Sequence, residues 1–343
     1  MFAATGPPFR WSTNPRCMAP MIRISVWHGD LSDEYLRLVT QLGADCIDFG
    51  HGGFWPGVEE QGYPDVVQVK AIRRRIRDYG LDINRVTLPD IPQAFMDGES
   101  GAQVAVDNSC RALEAFAEAG VPIARQRFCG DTFPWLLTRY RAVHRGGYRS
   151  RGESLGLTKD AQPTPTQEEL ESWWEKFLAV YGKLVPIAEE GDIRLAMHPS
   201  DTPNVDTPFG ALGYHRIIDA FPSRQVGYLY CCGTRAEAGG SSLIMDEIHN
   251  YGRKGRIFTL HMRNVRGSLA TAGGFEETLL DDGDINMFKV LEELRRVGFS
   301  GCINPDHIPA VEGDGPGVHQ GLSYSIGYLK ALLAAQAAVG SQR

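Results

Sequence analysis

Short apolar runs alternate with longer amphipathic stretches along most of the chain, and several of the runs close on a polar residue. Residues 22–26 read as a first strand, followed by Trp27-His28-Gly29-Asp30. Residues 31–42 have helical spacing, with Leu31, Tyr35, Leu38 and Val39 on one face. Further strands are expected at 45–50, 81–86, 121–125, 193–197, 226–230, 256–260 and 301–304. Helical patterns lie between them at 65–79, 103–120, 165–190, 214–220, near 241–250 and at 286–297, and a closing helix follows at 320–337. Thr166 is placed to cap the long helix, with Glu168 and Glu169 favourable in its first turn. Eight strand–helix units without an obvious linker predict one (β/α)8 barrel, a TIM barrel, across residues 1–343. A doubly wound sheet is the competing arrangement, since periodicity alone does not decide closure.

Two stretches depart from the repeat. Residues 1–20 are rich in proline, glycine and small polar residues and read as an N-terminal arm. Residues 127–165, with Asp131, Trp135, several arginines and many glycines, are too long for an ordinary connection after strand four. A lid over the barrel mouth or a subunit contact is expected there, and with it a homo-oligomer. Composition narrows the rest. Hydrophobic residues make up 43% of the chain, ample for a core. The net charge of -7 argues against a nucleic-acid partner. Seven cysteines, an odd number without a short disulfide framework, suggest a reducing, cytoplasmic setting. No run of about 18 apolar residues is present, so no membrane span is expected. No Gly-x-Gly pattern stands in the context a dinucleotide cofactor needs.

The chemistry gathers at strand ends. Segment five ends on His198, six on Cys231, seven on His261, and Asp306 follows strand eight. The C-terminal mouth of a barrel is where active sites are built, so these four would converge there. Two imidazoles, a thiolate and a carboxylate suit a divalent transition metal; the cysteine shifts preference away from magnesium and calcium. Iron(II), manganese, cobalt and zinc all remain, with one position open for substrate or water. Each residue also has an ordinary reading: strand-end histidines, a core thiol, a turn-capping aspartate. Cys232 competes with Cys231, and alternation lets only one point inward.

The motifs together resemble the mannonate dehydratase family. Met197-His198-Pro199-Ser200-Asp201-Thr202-Pro203 resembles its strand-five motif, and Cys231-Cys232-Gly233-Thr234 its Cys-x-Gly-Thr/Ser turn, which singles out Cys231. His261 to Gly267 and Asp281 to Met287 resemble its seventh-strand segment and acidic loop. Asn304-Pro305-Asp306-His307-Ile308-Pro309 resembles its Pro-Asp-His-x-Pro signature. The agreement covers roughly 190–335; the first half departs, with Arg125-Gln126-Arg127-Phe128-Cys129-Gly130-Asp131 where an aromatic, arginine-containing segment is usual. The resemblance implies a xylose-isomerase-like barrel that dehydrates D-mannonate to 2-keto-3-deoxy-D-gluconate. One Fe(II) or Mn(II) ion would be held by His198, Cys231, His261 and Asp306, with His307 catalytic. Tyr324 is the candidate second acid or base. Arg263, Arg266, Arg125 and Arg127 are candidates to pair with the carboxylate of a small sugar-acid substrate. His28 and His51 would meet its hydroxyls, and Trp55 would stack on the sugar. A metal-dependent isomerase or epimerase, a dehydratase for another aldonic acid, a zinc hydrolase and an inactive barrel are the competing readings.

Overall fold

Strands in a barrel are covered by helices outside and by one another inside, so they read as continuous apolar runs. The computed structural model describes residues 21–129, 134–157, 163–200 and 210–340. The N-terminal arm expected at 1–20 lies outside the described residues, as do Asp131 and Asp201-Thr202-Pro203. The described strands, in chain order, begin with β1 Arg23–Trp27, β2 Cys46–Asp48, β3 Asp82–Thr87 and β4 Ile123–Arg125. Next come β5 Thr138–Val143, β6 Arg149–Ser154, β7 Arg194–Met197 and β8 Val226–Cys231. The last are β9 Ile257–Met262, β10 Asn264–Ser268, β11 Gly274–Thr278 and β12 Cys302–Pro305. Eight of them close into a barrel in the order β1-β12-β9-β8-β7-β4-β3-β2, with parallel pairing throughout. Closure removes the doubly wound alternative.

Helix boundaries follow their caps. Asp65 accepts from the Gln68 amide at the start of helix Val66–Asp78. Thr166 and Glu169 form a reciprocal capping box on helix Gln167–Glu190. One helix differs from expectation. The pattern places it near 241–250, but it begins directly after β8 and runs Cys232–Arg253, with a break at Gly240, whose φ is 72°. Glycine takes a positive φ at little cost, so the two helical stretches meet at a kink there, and the expected helix is the part beyond it.

The larger departure is outside the barrel. The described part of the 127–165 segment contains a hairpin, β5 against β6. The loop after β9 is also structured, as β10 and β11, and β11 pairs antiparallel with β6. Together they make a four-stranded sheet in the order β10-β11-β6-β5.

Two kinds of layer fill the barrel. Ile123, Ala196, Leu229 and Phe258 form a small apolar cluster separate from the main core. Beside them Asp48 accepts from Ser25, Asn84 and Asn304, and Asn84 also reaches Thr259. The Asn304–Asp48 and Asn84–Thr259 bonds join strands that are not neighbours, so they cross the interior, while Ser25 and Asn84 reach Asp48 from the strands on either side of it. Gly227 of β8 permits a close approach: an added Cβ would lie 2.4 Å from the Arg256 carbonyl oxygen and 2.6 Å from the Phe258 ring. Gly227→Ala is therefore expected to cost about 1–3 kcal/mol of stability by overpacking. A lower denaturation midpoint checks this; an unchanged midpoint would mean that the strands part there without cost.

Candidate active site

Alternation sets which residues face the barrel axis. Ala196 and Leu229 point inward, so His198 and Cys231, two residues on, do as well. Thr259 and Asn304 also point inward through their cross-barrel bonds, and His261 and Asp306 follow each by two. Cys231 and His261 are direct partners between β8 and β9, which levels them. Cys232 takes the opposite face and joins the outer core with Tyr228 and Tyr230.

The result is a compact cluster. One donor atom from each of His198, Cys231, His261 and Asp306 lies within 4.8 Å of all the others. Bonds of about 2.0–2.3 Å to a single ion put donors no more than about 4.6 Å apart, so small side-chain shifts would close the set. His261 Nδ1 lies 3.1 Å from Asp306 Oδ2, yet neither buried ring nitrogen is aligned in a hydrogen bond. Such orphaned atoms are costly unless a partner arrives, and a cation is a suitable one.

Electrostatics favour the same reading. Burial pushes His198 well below the ordinary imidazole range, and nearby Arg125 and His261 add to this. Burial lowers His261 too, against the pull of Asp306. Both rings are thus neutral and able to donate a lone pair. Burial alone would raise Asp306, but His261 and His307 more than offset it and hold the carboxylate ionised. Burial raises the Cys231 thiol to about 11, with Arg263 opposing. A bound cation would displace that proton, and thiolate plus carboxylate would then balance a double positive charge.

His307 stands beside the cluster. Strict alternation would send it away from Asp306, but its φ of 47° turns it back toward the barrel mouth. Its Nε2 is 3.7 Å from Asp306 Oδ2, and its Nδ1 is 2.5 Å from Glu277 Oε1. Burial works against protonation of this ring, but Asp306 and Glu277 prevail and raise it above the ordinary imidazole value.

These groups open on a cleft of about 640 Å³. Trp27, His28, His51, Arg125, Arg127 and His307 line it with His198, His261 and Asp306, while Cys231 lies fully buried beneath. The His28 ring packs against Phe49 and Phe54, and its Nδ1 meets the Gly29 carbonyl oxygen at 2.6 Å.

Residues 156–342, more than half of the chain, match the family model of D-mannonate dehydratase (UxuA). The chain belongs to the D-mannonate dehydratase family. "Mannonate dehydratase 2" of Halalkalibacterium halodurans is 20% identical over 318 residues, covering 82% of this chain and 88% of the relative. The crystal structure of mannonate dehydratase from Streptococcus suis serotype 2 superposes with a TM-score of 0.74 at 19% identity, covering 93% of this chain and 96% of that one. A xylose isomerase domain protein from Planctomyces limnophilus follows with a TM-score of 0.60 at 12% identity, covering 92% and 98%. The fold is thus a (β/α)8 barrel of the xylose-isomerase-like kind. Family membership and the four-donor cluster together support a metal-dependent enzyme. Among the described residues, no helix is long and apolar enough to cross a membrane.

Four placements correct the sequence reading. Arg263 is buried and does not face the cleft: it binds Glu237, Glu277 at 2.5 Å and the Thr234 hydroxyl at 3.0 Å. Arg266 pairs with Asp282 on the outer sheet. Tyr324 is 42% exposed and turns to Arg145 and Asp281 at the inserted hairpin. Trp55 is buried against Phe49, Phe54 and Phe116. Neither Glu277 nor Trp27 stands out as a site residue from sequence. Trp27 stood in the first strand-end motif; Glu277 carried no signal, because its partners are remote in the chain.

Proposed function

We propose that the chain is a divalent-metal-dependent dehydratase of sugar acids, converting D-mannonate to 2-keto-3-deoxy-D-gluconate and water. The observation that carries this reading is the placement of His307 beside a four-donor cluster at the floor of a cleft that also holds Arg125 and Arg127. His198, Cys231, His261 and Asp306 would hold the ion, Fe(II) or Mn(II). When bound, it supplies positive charge to the anion that develops as C2 is deprotonated.

The chain's own groups do the rest. Arg125 and Arg127 pair with the substrate carboxylate, and His28 and His51 meet its hydroxyls. His307 exchanges the proton through Nε2, the ring nitrogen not engaged by Glu277. The C2–H bond breaks and its electrons form the C2–C3 double bond. The C3 hydroxyl leaves and is protonated to water, and the enol becomes the 2-keto acid. Tyr324 is not the second proton-transfer group in this reading, since it lies away from the cleft.

The test is a screen of aldonic and uronic acids with chelator-stripped protein reloaded with Fe(II), Mn(II) or Zn(II). D-mannonate with Fe(II) or Mn(II) is expected to yield a 2-keto-3-deoxy acid, and the stripped protein none. A product of unchanged mass would assign isomerisation or epimerisation instead. Fully loaded protein that turns over no sugar acid would end the proposal.

A further inference from the structure

The outer four-stranded sheet reaches the barrel mouth through one carboxylate. Glu277 belongs to β11, outside the barrel, yet its Oε1 lies 2.5 Å from His307 Nδ1. That same oxygen accepts from Arg263 of the β9–β10 turn at 2.5 Å and from Arg151 of β6 at 3.1 Å. Arg151 also pairs with Glu153, and Arg263 with Glu237, so both guanidinium groups are fixed. The β11 strand is held by β10 on one side and by β6 on the other. A carboxylate surrounded in this way has no freedom to follow the ring; the ring must follow it.

We propose that Glu277 is a positioning residue for His307, and that the hairpin β5–β6 is the brace that keeps Glu277 in place. This rests on the assignment of His307 as the proton-transfer group. An ionised carboxylate only accepts, so the Nδ1 facing it carries the hydrogen. That fixes the tautomer: Nε2 is the nitrogen left with a lone pair toward the cleft. His307 sits just past the end of β12 in a left-handed conformation, its side chain is 38% exposed, and from its own strand end it meets Asp306 Oδ2 only at 3.7 Å, beyond hydrogen-bond reach. The partner has to come from elsewhere, and it comes from the outer sheet. The competing view is that Glu277 only balances Arg151 and Arg263, with His307 as a bystander.

Nitrogen-15 spectra of histidine-labelled, zinc-loaded protein decide between them. They are recorded at alkaline pH where the ring is neutral, with His307 assigned by its loss in His307→Asn. The wild-type ring is expected in the Nδ1–H form. Glu277→Ala should convert it to a mixture or to the Nε2–H form, whereas Glu277→Gln, whose carbonyl still accepts, should keep Nδ1–H. With substrate, Glu277→Ala is expected to lower kcat about 10- to 100-fold with KM little changed, and Glu277→Gln to lose less. A wild-type ring in the Nε2–H form, or a ring unchanged in Glu277→Ala, would overturn the proposal. Should that variant not fold, the wild-type tautomer still decides. Failure of the dehydratase reading would appear separately, as wild-type protein without turnover, and would leave the spectra interpretable.

Discussion

His307→Asn is expected to lower kcat by about 100- to 10,000-fold, the range typical for loss of a general acid or base. Asparagine suits the site for a physical reason. It tolerates the left-handed backbone that His307 adopts at φ 47°, so the turn after β12 should survive. Its amide can hydrogen-bond to Glu277 but cannot exchange a proton near neutral pH. Asp306 and the other three donors are untouched, so elemental analysis should find the same metal content as in wild type. The two measurements separate two roles. Lost turnover with full metal assigns proton transfer to His307. Lost turnover with lost metal would make it a support for Asp306, which lies 3.7 Å from its Nε2. Full activity would remove His307 from the chemistry and direct attention to His28 and His51 across the cleft.

The cluster was legible in sequence because barrel geometry is repetitive. A buried strand read from its apolar run has a known end, and a residue at that end has a known place, so four remote positions could be brought together without any contact between them being visible. Alternation alone left Cys231 and Cys232 in competition; the resemblance of the Cys-Cys-Gly-Thr turn singled out Cys231, and Leu229, two residues before it on β8, faces inward as that choice requires. The outer sheet had no such rule. The β5 residues Thr-Arg-Tyr-Arg-Ala-Val and the β6 residues Arg-Ser-Arg-Gly-Glu-Ser are polar and partly exposed, so neither period nor apolar content marks them. The strand that β6 pairs with beyond the hairpin, β11, lies more than a hundred residues away. Arg263 was misread for the same reason. A lone arginine after a strand-end histidine suggests a free clamp for an anion, and only the fold shows that Glu237 and Glu277 already occupy it. The interior bonds of Asp48 were equally hidden, since an aspartate at the end of a three-residue strand looks like a mouth residue until Asn84 and Asn304 appear around it.

Glu247→Gln is expected to destabilise the protein by about 3–5 kcal/mol, the cost of leaving a buried charge without its partner. Glu247 and Arg235 sit on the helix that follows β8, each with a side chain only 2% exposed. Arg235 donates from Nε at 2.9 Å to one carboxylate oxygen and from a terminal nitrogen at 2.5 Å to the other. The Tyr230 hydroxyl adds a third bond to Glu247 at 2.8 Å. Burial pulls the Arg235 guanidinium toward losing its proton, but Glu247 more than offsets this and keeps it charged. Glutamine preserves the shape and one acceptor oxygen while removing the charge, so the loss reports electrostatics and not a cavity. Arg235→Met and Glu247→Leu combined with Tyr230→Phe should recover most of the stability, because apolar residues carry no desolvation cost and the phenylalanine leaves no hydroxyl without its acceptor. A denaturation midpoint in Glu247→Gln equal to wild type would show that water reaches this pair. The effect should also extend to the cluster. Arg235 adjoins Thr234, whose hydroxyl lies 3.3 Å from the Cys231 sulfur and 3.0 Å from Arg263. If the pair anchors the first turns of this helix, Glu247→Gln should bind metal more weakly than wild type even at temperatures where it remains folded. The apolar triple variant should restore that affinity together with the stability.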